Sequence, residues 1–332
     1  MSIDAPIRLE SDDIAVEILP FGATLARFEV READGAWRNI VLGLPTPEAY
    51  LTDPSFMGVS VGRYANRIAN ARFTLDGLEH RLEANEGPNC LHGGSGGYQA
   101  RVWEVDALGA GHLALGLVSP DGDQGFPGEL RVTAEFSVLE NGAQVVYTAV
   151  TDAPTVVNLT THPYFNLDGD GVGNTDLHRL VIKANAYTPT RADGIPTGEV
   201  RLVSGTAADF RLGQLLGDAR VAAVAQGIDR NGGFDHNFVV DGIGLREHAV
   251  LTGSSGLTLR VVSDQPGLQV YGGDHFDGTV IGVSGRPYQA RAGVALETQQ
   301  LPDAPNQPGF PSTVLRPGAV FTATTQWLVS WA

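Results

Sequence analysis

Cysteine is almost missing from this chain. Cys90 is the single one among 332 residues, so no intrachain disulfide can form and nothing points to an oxidising compartment. Basic residues are also scarce: 22 Lys and Arg stand against 38 Asp and Glu, a formal net charge of -16. Nucleic-acid binding needs a basic footprint, and an anionic membrane surface repels an acidic chain, so neither partner is expected. No apolar run approaches the roughly 20 residues that span a bilayer. The stretch from Met1 to Glu10 lacks a basic start followed by an apolar run, which argues against a secretory leader. A cytoplasmic location is the expectation. No Gly-x-Gly-x-x-Gly opens a strand–helix unit, which argues against a nicotinamide enzyme. A serine triad on a nucleophile elbow is not expected either.

What is present points to strands. Hydrophobic residues make up 42% of the chain, enough for a sizeable core. The 42 glycines and 19 prolines are spread at short intervals, as turns between many strands require. Residues 72–75 and 79–82 flank Asp76-Gly77, a two-residue hairpin signal, and 130–139 and 143–150 flank Asn141-Gly142 in the same way. Val132, Ala134, Phe136 and Val138 alternate with Thr133, Glu135 and Ser137, the period of a half-buried strand. Further strands are expected at 15–19, 24–30, 179–184, 199–203, 258–262, 268–271, 293–298 and 320–329. Only 212–225 reads as a helix or a pair of short turns. The expectation is one all-β domain over 1–332, a large antiparallel β-sandwich. Pattern alone does not separate a sandwich from a jelly roll or a barrel.

Several polar clusters interrupt these strands. Glu297 lies in the strand pattern 293–298, where alternation puts Ala295, Glu297 and Gln299 on one face, and a loop rich in Pro, Gln and Asn follows. A carboxylate there suits a neutral polyhydroxylated ligand; it also fits an ordinary exposed strand glutamate. His162 precedes Pro163, which favours an extended backbone, and its imidazole titrates near neutrality. A packed histidine is the plain alternative. His92 is followed by Gly93-Gly94, where backbone can approach a ligand, but no helix follows to make a phosphate cradle. Cys90 and His92 stand two apart on one strand face and invite a metal reading, yet no second pair has zinc-like spacing. Asn66 and Arg67 sit near Arg63 in a polar segment, with surface ion pairing as the alternative. Asp235 and His236 lie between Phe234 and Phe238, aromatic walls that suit a sugar pocket, beside an expected turn at Asn231-Gly232-Gly233. Gln269 and Tyr271 share a face of a later strand.

Together these segments resemble one family. Gly62-Arg63-Tyr64-Ala65-Asn66-Arg67-Ile68, Asn89-Cys90-Leu91-His92-Gly93-Gly94, Asn158-Leu159-Thr160-Thr161-His162-Pro163-Tyr164-Phe165-Asn166-Leu167, Gly233-Phe234-Asp235-His236-Asn237-Phe238 and Leu296-Glu297-Thr298-Gln299 resemble, in the same order, the aldose 1-epimerases, also called galactose mutarotases. The likeness runs from about Ala15 to the last strand. It implies a galactose mutarotase-like supersandwich with a cleft on one face. It implies Glu297 as general base and His162 as general acid. Arg67, His92 and Asp235 would hold sugar hydroxyls, and Asn66, Gln269 and Tyr164 would be further pocket positions. The implied substrate is a monosaccharide of the glucose, galactose, xylose or arabinose type, handled by a monomer or homodimer. Proton transfers that reset both groups need no cofactor or metal. A neighbouring carboxylate is expected to raise the pKa of His162.

Two departures stand out. Gly272-Gly273-Asp274-His275-Phe276 replaces a Thr-Gly-Asn sequence common in the family, near the sugar rim, and Pro163 stands where Ser is common. The competing readings are a hexose-phosphate 1-epimerase, which needs additional cations, a glycoside hydrolase using Asp235 and Glu297, and a non-catalytic sugar-binding module.

Overall fold

The computed structural model describes residues 5–228 and 233–331. Among them, the alternating segments form three sizeable sheets. The largest has nine strands in the order Glu104–Gly109, His112–Ser119, Leu130–Leu139, Gly142–Thr151, Phe321–Trp331, Leu257–Ser263, Arg246–Thr252, Arg179–Ile182 and Gln214–Leu215. A six-stranded sheet runs Tyr164–Phe165, Val294–Gln299, Gly267–Tyr271, Asp235–Val240, Ala184–Thr188 and Arg201–Leu202. Ile7–Glu10, Ile14–Leu19, Thr24–Arg31 and Trp37–Asn39 make a four-stranded sheet. Neighbours in all three run antiparallel.

The nine-stranded sheet packs its inner face against the other two, and one apolar core joins them. Trp327 shows the layering: its ring meets Phe28 of the four-stranded sheet at 6.5 Å and Phe165 of the six-stranded sheet at 6.3 Å. In Leu130–Leu139, Val132, Ala134 and Phe136 are buried while Arg131 is exposed. Each such Val or Phe contributes about 1.5–3 kcal/mol by leaving water. The sheets are open and face each other, so the architecture is the expected sandwich and not a closed barrel.

The local turns follow their chemistry with one shift. Asp76 and Gly77 form the two-residue loop between paired Leu75 and Leu78, with φ of 50° and 82°, the left-handed pair that type I′ demands. The second hairpin turns at Glu140-Asn141, because Gly142 is already paired with Leu139. Gly142 is needed for a different reason: a Cβ there would sit 2.0 Å from the Trp327 carbonyl oxygen on the neighbouring strand. The expected strand 179–184 is two strands. Arg179–Ile182 ends in the nine-stranded sheet and Ala184–Thr188 begins in the six-stranded one, so the chain changes layers at Lys183. The helix is Leu216–Ala225, shorter than expected because Gln214–Leu215 pairs with Arg179 and Leu180. Among the described residues, no helix is long and apolar enough to cross a membrane.

The six-stranded sheet has two unlike faces. Leu268, Val270, Val294 and Leu296 enter the core. On the opposite face, register aligns Asp235, Tyr271 and Ala295 in one row and Asn237, Gln269 and Glu297 in the next. A polar floor is thereby fixed to a rigid apolar support.

Candidate active site

Strand pairing brings the two proposed proton-transfer groups together. Tyr164 pairs with Ala295 and Phe165 with Val294, and continuing that antiparallel register by two places sets His162 opposite Glu297. The His162 backbone is fixed on both sides, its N–H donating to Val59 at 3.0 Å and its carbonyl accepting from Gly58 at 2.9 Å. Its Nε2 lies 3.4 Å from Glu297 Oε1, with 5% and 2% of the two side chains exposed. They are close enough to act on one small ligand together.

His92 stands beside this pair in the left-handed region, with φ of 53°. The Asn66 backbone N–H donates to His92 Nδ1 at 3.2 Å, so a neutral His92 carries its hydrogen on Nε2 and acts there as a donor. The His92 and His162 rings meet edge to face at 5.6 Å. Phe56 lies 4.6 Å from His92 and 6.4 Å from His162 and shields both imidazoles.

A chain of charged groups forms the next wall. Arg67 donates from Nε to Glu86 at 2.6 Å, from Nη2 to Glu86 at 2.8 Å, and from Nη1 to Asp235 at 3.4 Å. Gln269 donates to the other Asp235 oxygen at 2.5 Å. Asn66 accepts from the Arg67 backbone N–H through its side-chain oxygen at 2.9 Å, which fixes the start of the arginine.

These groups surround a cavity of about 430 Å³ that is also lined by Tyr164, Tyr271, Asp274 and His275. Of the eight residues singled out from sequence, Glu297, His162, Arg67, His92, Asp235, Asn66 and Tyr164 line it. Gln269 does not; it lies beneath Asp235 as the cross-strand partner of Glu297. Tyr164 offers the cavity its ring, because its hydroxyl donates to the Ser55 carbonyl at 3.0 Å. The Tyr271 hydroxyl and His275 Nδ1 share a 2.7 Å hydrogen bond, and their rings stack at the rim. Thus the departure at Gly272–Phe276 falls on the cavity wall.

Burial sets the electrostatics. It pushes Glu297 well above the usual carboxyl range, helped by the charge of Asp235 and opposed by Arg67. It pushes His162 down to about 4, with only partial compensation from Asp235. The expected rise of the His162 pKa is therefore reversed: loss of hydration outweighs the neighbouring carboxylate. His92 is held well below its ordinary value by burial, by His162 and by Arg67. An imidazole pushed down and a carboxyl pushed up both favour the uncharged pair, with the proton on Glu297 rather than on His162.

Other sequence readings resolve differently. Arg63 is a structural rivet turned from the cavity, donating to the carbonyls of Pro127 and Gly128 and to Ser119. Cys90 packs with Tyr64, Ile68, Phe73 and Phe126; the left-handed turn at His92 breaks the alternation that would have put both on one face. His236 points the other way from Asp235, toward Tyr187 at 5.8 Å. Gly93-Gly94-Ser95-Gly96-Gly97 does spell Gly-x-Ser-x-Gly. It is a turn, however, and Ser95 donates to Glu83 at 2.8 Å, with no strand-to-helix elbow. Asn231 and Gly232 of the expected turn lie outside the described residues. Phe56 and Glu86 went unnoticed in sequence, because neither stands in a recognisable motif.

Ligand atoms of His92, His162 and Glu297 lie within 4.8 Å of one another. The Asn66 N–H occupies the one lone pair of neutral His92, on Nδ1, and its Nε2–H cannot ligate. Among the described residues that leaves two ligands, fewer than the three protein ligands of a catalytic zinc site.

The fold and cavity thus define a β-sandwich that holds a buried imidazole and carboxyl in contact at the floor of a polar cavity. The family model described as aldose 1-epimerase matches residues 6–327. A galactose mutarotase from Bos taurus is 42% identical, over 98% of this chain and 94% of the relative. An aldose 1-epimerase from Escherichia coli (strain K12) is 37% identical, over 95% and 91%. The solved structure of an aldose epimerase homologue from C. elegans superposes with a TM-score of 0.91 at 28% identity, covering 98% of this chain and 99% of that one. The chain belongs to the aldose 1-epimerase family.

Proposed function

We propose that this protein is an aldose 1-epimerase that interconverts the α and β anomers of free aldoses, with Glu297 and His162 as its proton-transfer pair. The observation that carries this reading is the 3.4 Å approach of His162 Nε2 to Glu297 Oε1 at the floor of the cavity. In the imidazolium–carboxylate form, Glu297 takes the proton of the C1 hydroxyl. The C1–ring-oxygen bond breaks as the C1 carbonyl forms, and the ring oxygen takes a proton from His162. The pair is then imidazole and carboxylic acid, the neutral form that burial favours, so the resting pair must first move its proton from Glu297 to His162, at a cost that ring opening returns. Rotation about C1–C2 presents the other aldehyde face. Closure reverses both transfers and restores the enzyme. Arg67 and Asp235 orient the sugar hydroxyls by charge-assisted hydrogen bonds, and neutral His92, with Asn66, by ordinary ones. Tyr164 walls the site, and Gln269 steadies Asp235.

The charge around the cavity favours a free sugar over a phosphorylated one. Its arginine is already engaged by Glu86 and Asp235, and further acids line the wall. The substrates we assign are monosaccharides of the glucose, galactose, xylose or arabinose type. Every group in the scheme comes from one chain, which we take to be a single domain over 1–332 acting as a monomer or homodimer. The lone thiol of Cys90 suits a reducing, cytoplasmic setting. The test is initial-rate polarimetry on fresh anomers of the four sugars, with glucose 6-phosphate and aryl glycosides as controls. Acceleration confined to free sugars supports the proposal; none above buffer overturns it.

A further inference from the structure

Arg67 is held more tightly by a residue outside the proton-transfer scheme than by anything within it. Glu86 accepts from Nε at 2.6 Å and from Nη2 at 2.8 Å, a two-point grip on one edge of the guanidinium. Asp235 accepts from Nη1 at the much looser distance of 3.4 Å. The guanidinium face is covered by backbone at Gly194, where a Cβ would lie 2.8 Å from Arg67 Cζ. Gly194 also has φ of 76°, so a side chain there is disfavoured by conformation as well as by space.

An arginine in a cavity with two carboxylates pairs most closely with whichever offers the better two-point geometry. Were Glu86 absent, Asp235 would be the remaining carboxylate within reach. Arg67 would then swing to meet it edge-on, and its donors and the Asp235 oxygens would satisfy one another. A sugar would have to break that pair before using either member. With Glu86 present, Nη1 projects toward Asp235 without collapsing onto it, leaving a donor and an acceptor side by side for neighbouring hydroxyls.

We infer that Glu86 is a positioning residue that sets sugar affinity by keeping Arg67 and Asp235 apart. This rests on the epimerase reading for what the cavity binds. It adds a group that touches neither reacting oxygen and acts through Arg67. The side chain of Glu86 is 35% exposed, so its replacement removes little packing.

The experiment compares wild-type protein with Glu86→Gln and Glu86→Asp, using polarimetric kinetics on fresh α-glucose and α-galactose and calorimetric binding of the same sugars. Glutamine keeps the length but offers a single oxygen acceptor and no charge. The expected result is a KM for Glu86→Gln raised about tenfold, equivalent to about 1.4 kcal/mol, with kcat within about twofold of wild type. The calorimetric Kd should rise in parallel, and Glu86→Asp, which keeps the charge, should recover part of the loss. An unchanged KM and Kd overturns the inference. So does a fall in kcat at constant KM, which would place Glu86 in the chemistry. If wild-type protein binds sugar without accelerating its mutarotation, the epimerase reading fails while the calorimetric comparison still decides the role of Glu86.

Discussion

Replacing Glu297 with glutamine isolates proton transfer from packing. The side chain is 2% exposed and Oε2 has no hydrogen-bond partner among the described residues, so an amide of equal size fits the same space. Its Oε1 position still faces His162 Nε2, yet it no longer takes a proton at any working pH. A positioned general base contributes about 10²–10⁴-fold. At about 1.36 kcal/mol per decade, losing it raises the barrier by about 2.7–5.4 kcal/mol. Stability should move the other way or not at all, because a buried carboxyl whose charged form is penalised is replaced by a group that never ionises. The assay is optical rotation of freshly dissolved α-glucose or α-galactose, with the spontaneous rate in the same buffer subtracted, alongside a thermal melt. We expect kcat/KM to fall by at least about a hundredfold with an undiminished Tm. A variant that accelerates mutarotation as well as wild type removes Glu297 from the mechanism. A collapse of Tm would show instead that the carboxyl is structural.

Three further outcomes follow from burial and close contact. His162 is held down to about 4, so the acid limb of the kcat/KM profile should fall near pH 4, where a second proton reaches the pair; a limb near 6.5 would contradict the buried assignment. His248, fully buried and donating from Nε2 to the Ser263 carbonyl, is held near 3 by burial and by Arg246. The unfolded chain takes up that proton first, at about 6.5, so this contribution is present above 6.5 and is lost as pH falls from there toward 3. Each unit is worth about 1.4 kcal/mol. Urea unfolding from pH 7 to 5 should show the decline, and His248→Gln should make it shallower by one histidine's share, with buried His92 and His162 supplying part of the rest. Finally, Gly142→Ala would force a Cβ against the Trp327 carbonyl at 2.0 Å. It should lower stability by about 1–3 kcal/mol in denaturant melts while leaving KM unchanged.

Sequence alone carried local geometry and residue chemistry. The period-two run through Val132, Ala134 and Phe136 specified a half-buried strand, because side chains alternate across any pleated backbone. Asp76-Gly77 specified a turn, because both positions tolerate positive φ. The motifs around Arg67, His92, His162, Asp235 and Glu297 named the chemical groups and the family. Tertiary structure decided which groups meet and in which protonation state. His162 faces Glu297 because Tyr164 pairs with Ala295, a contact between segments distant in the chain that no local pattern encodes. Arg63 and Arg67 look alike in sequence, yet one is a rivet among carbonyls and the other lines the cavity. Glu86 has no motif at all and gains its role only where it meets Arg67. The pKa of His162 reversed its expected direction for the same reason: hydration is lost only when the surrounding layers close over the ring, and that loss belongs to the packed sandwich rather than to any segment of it.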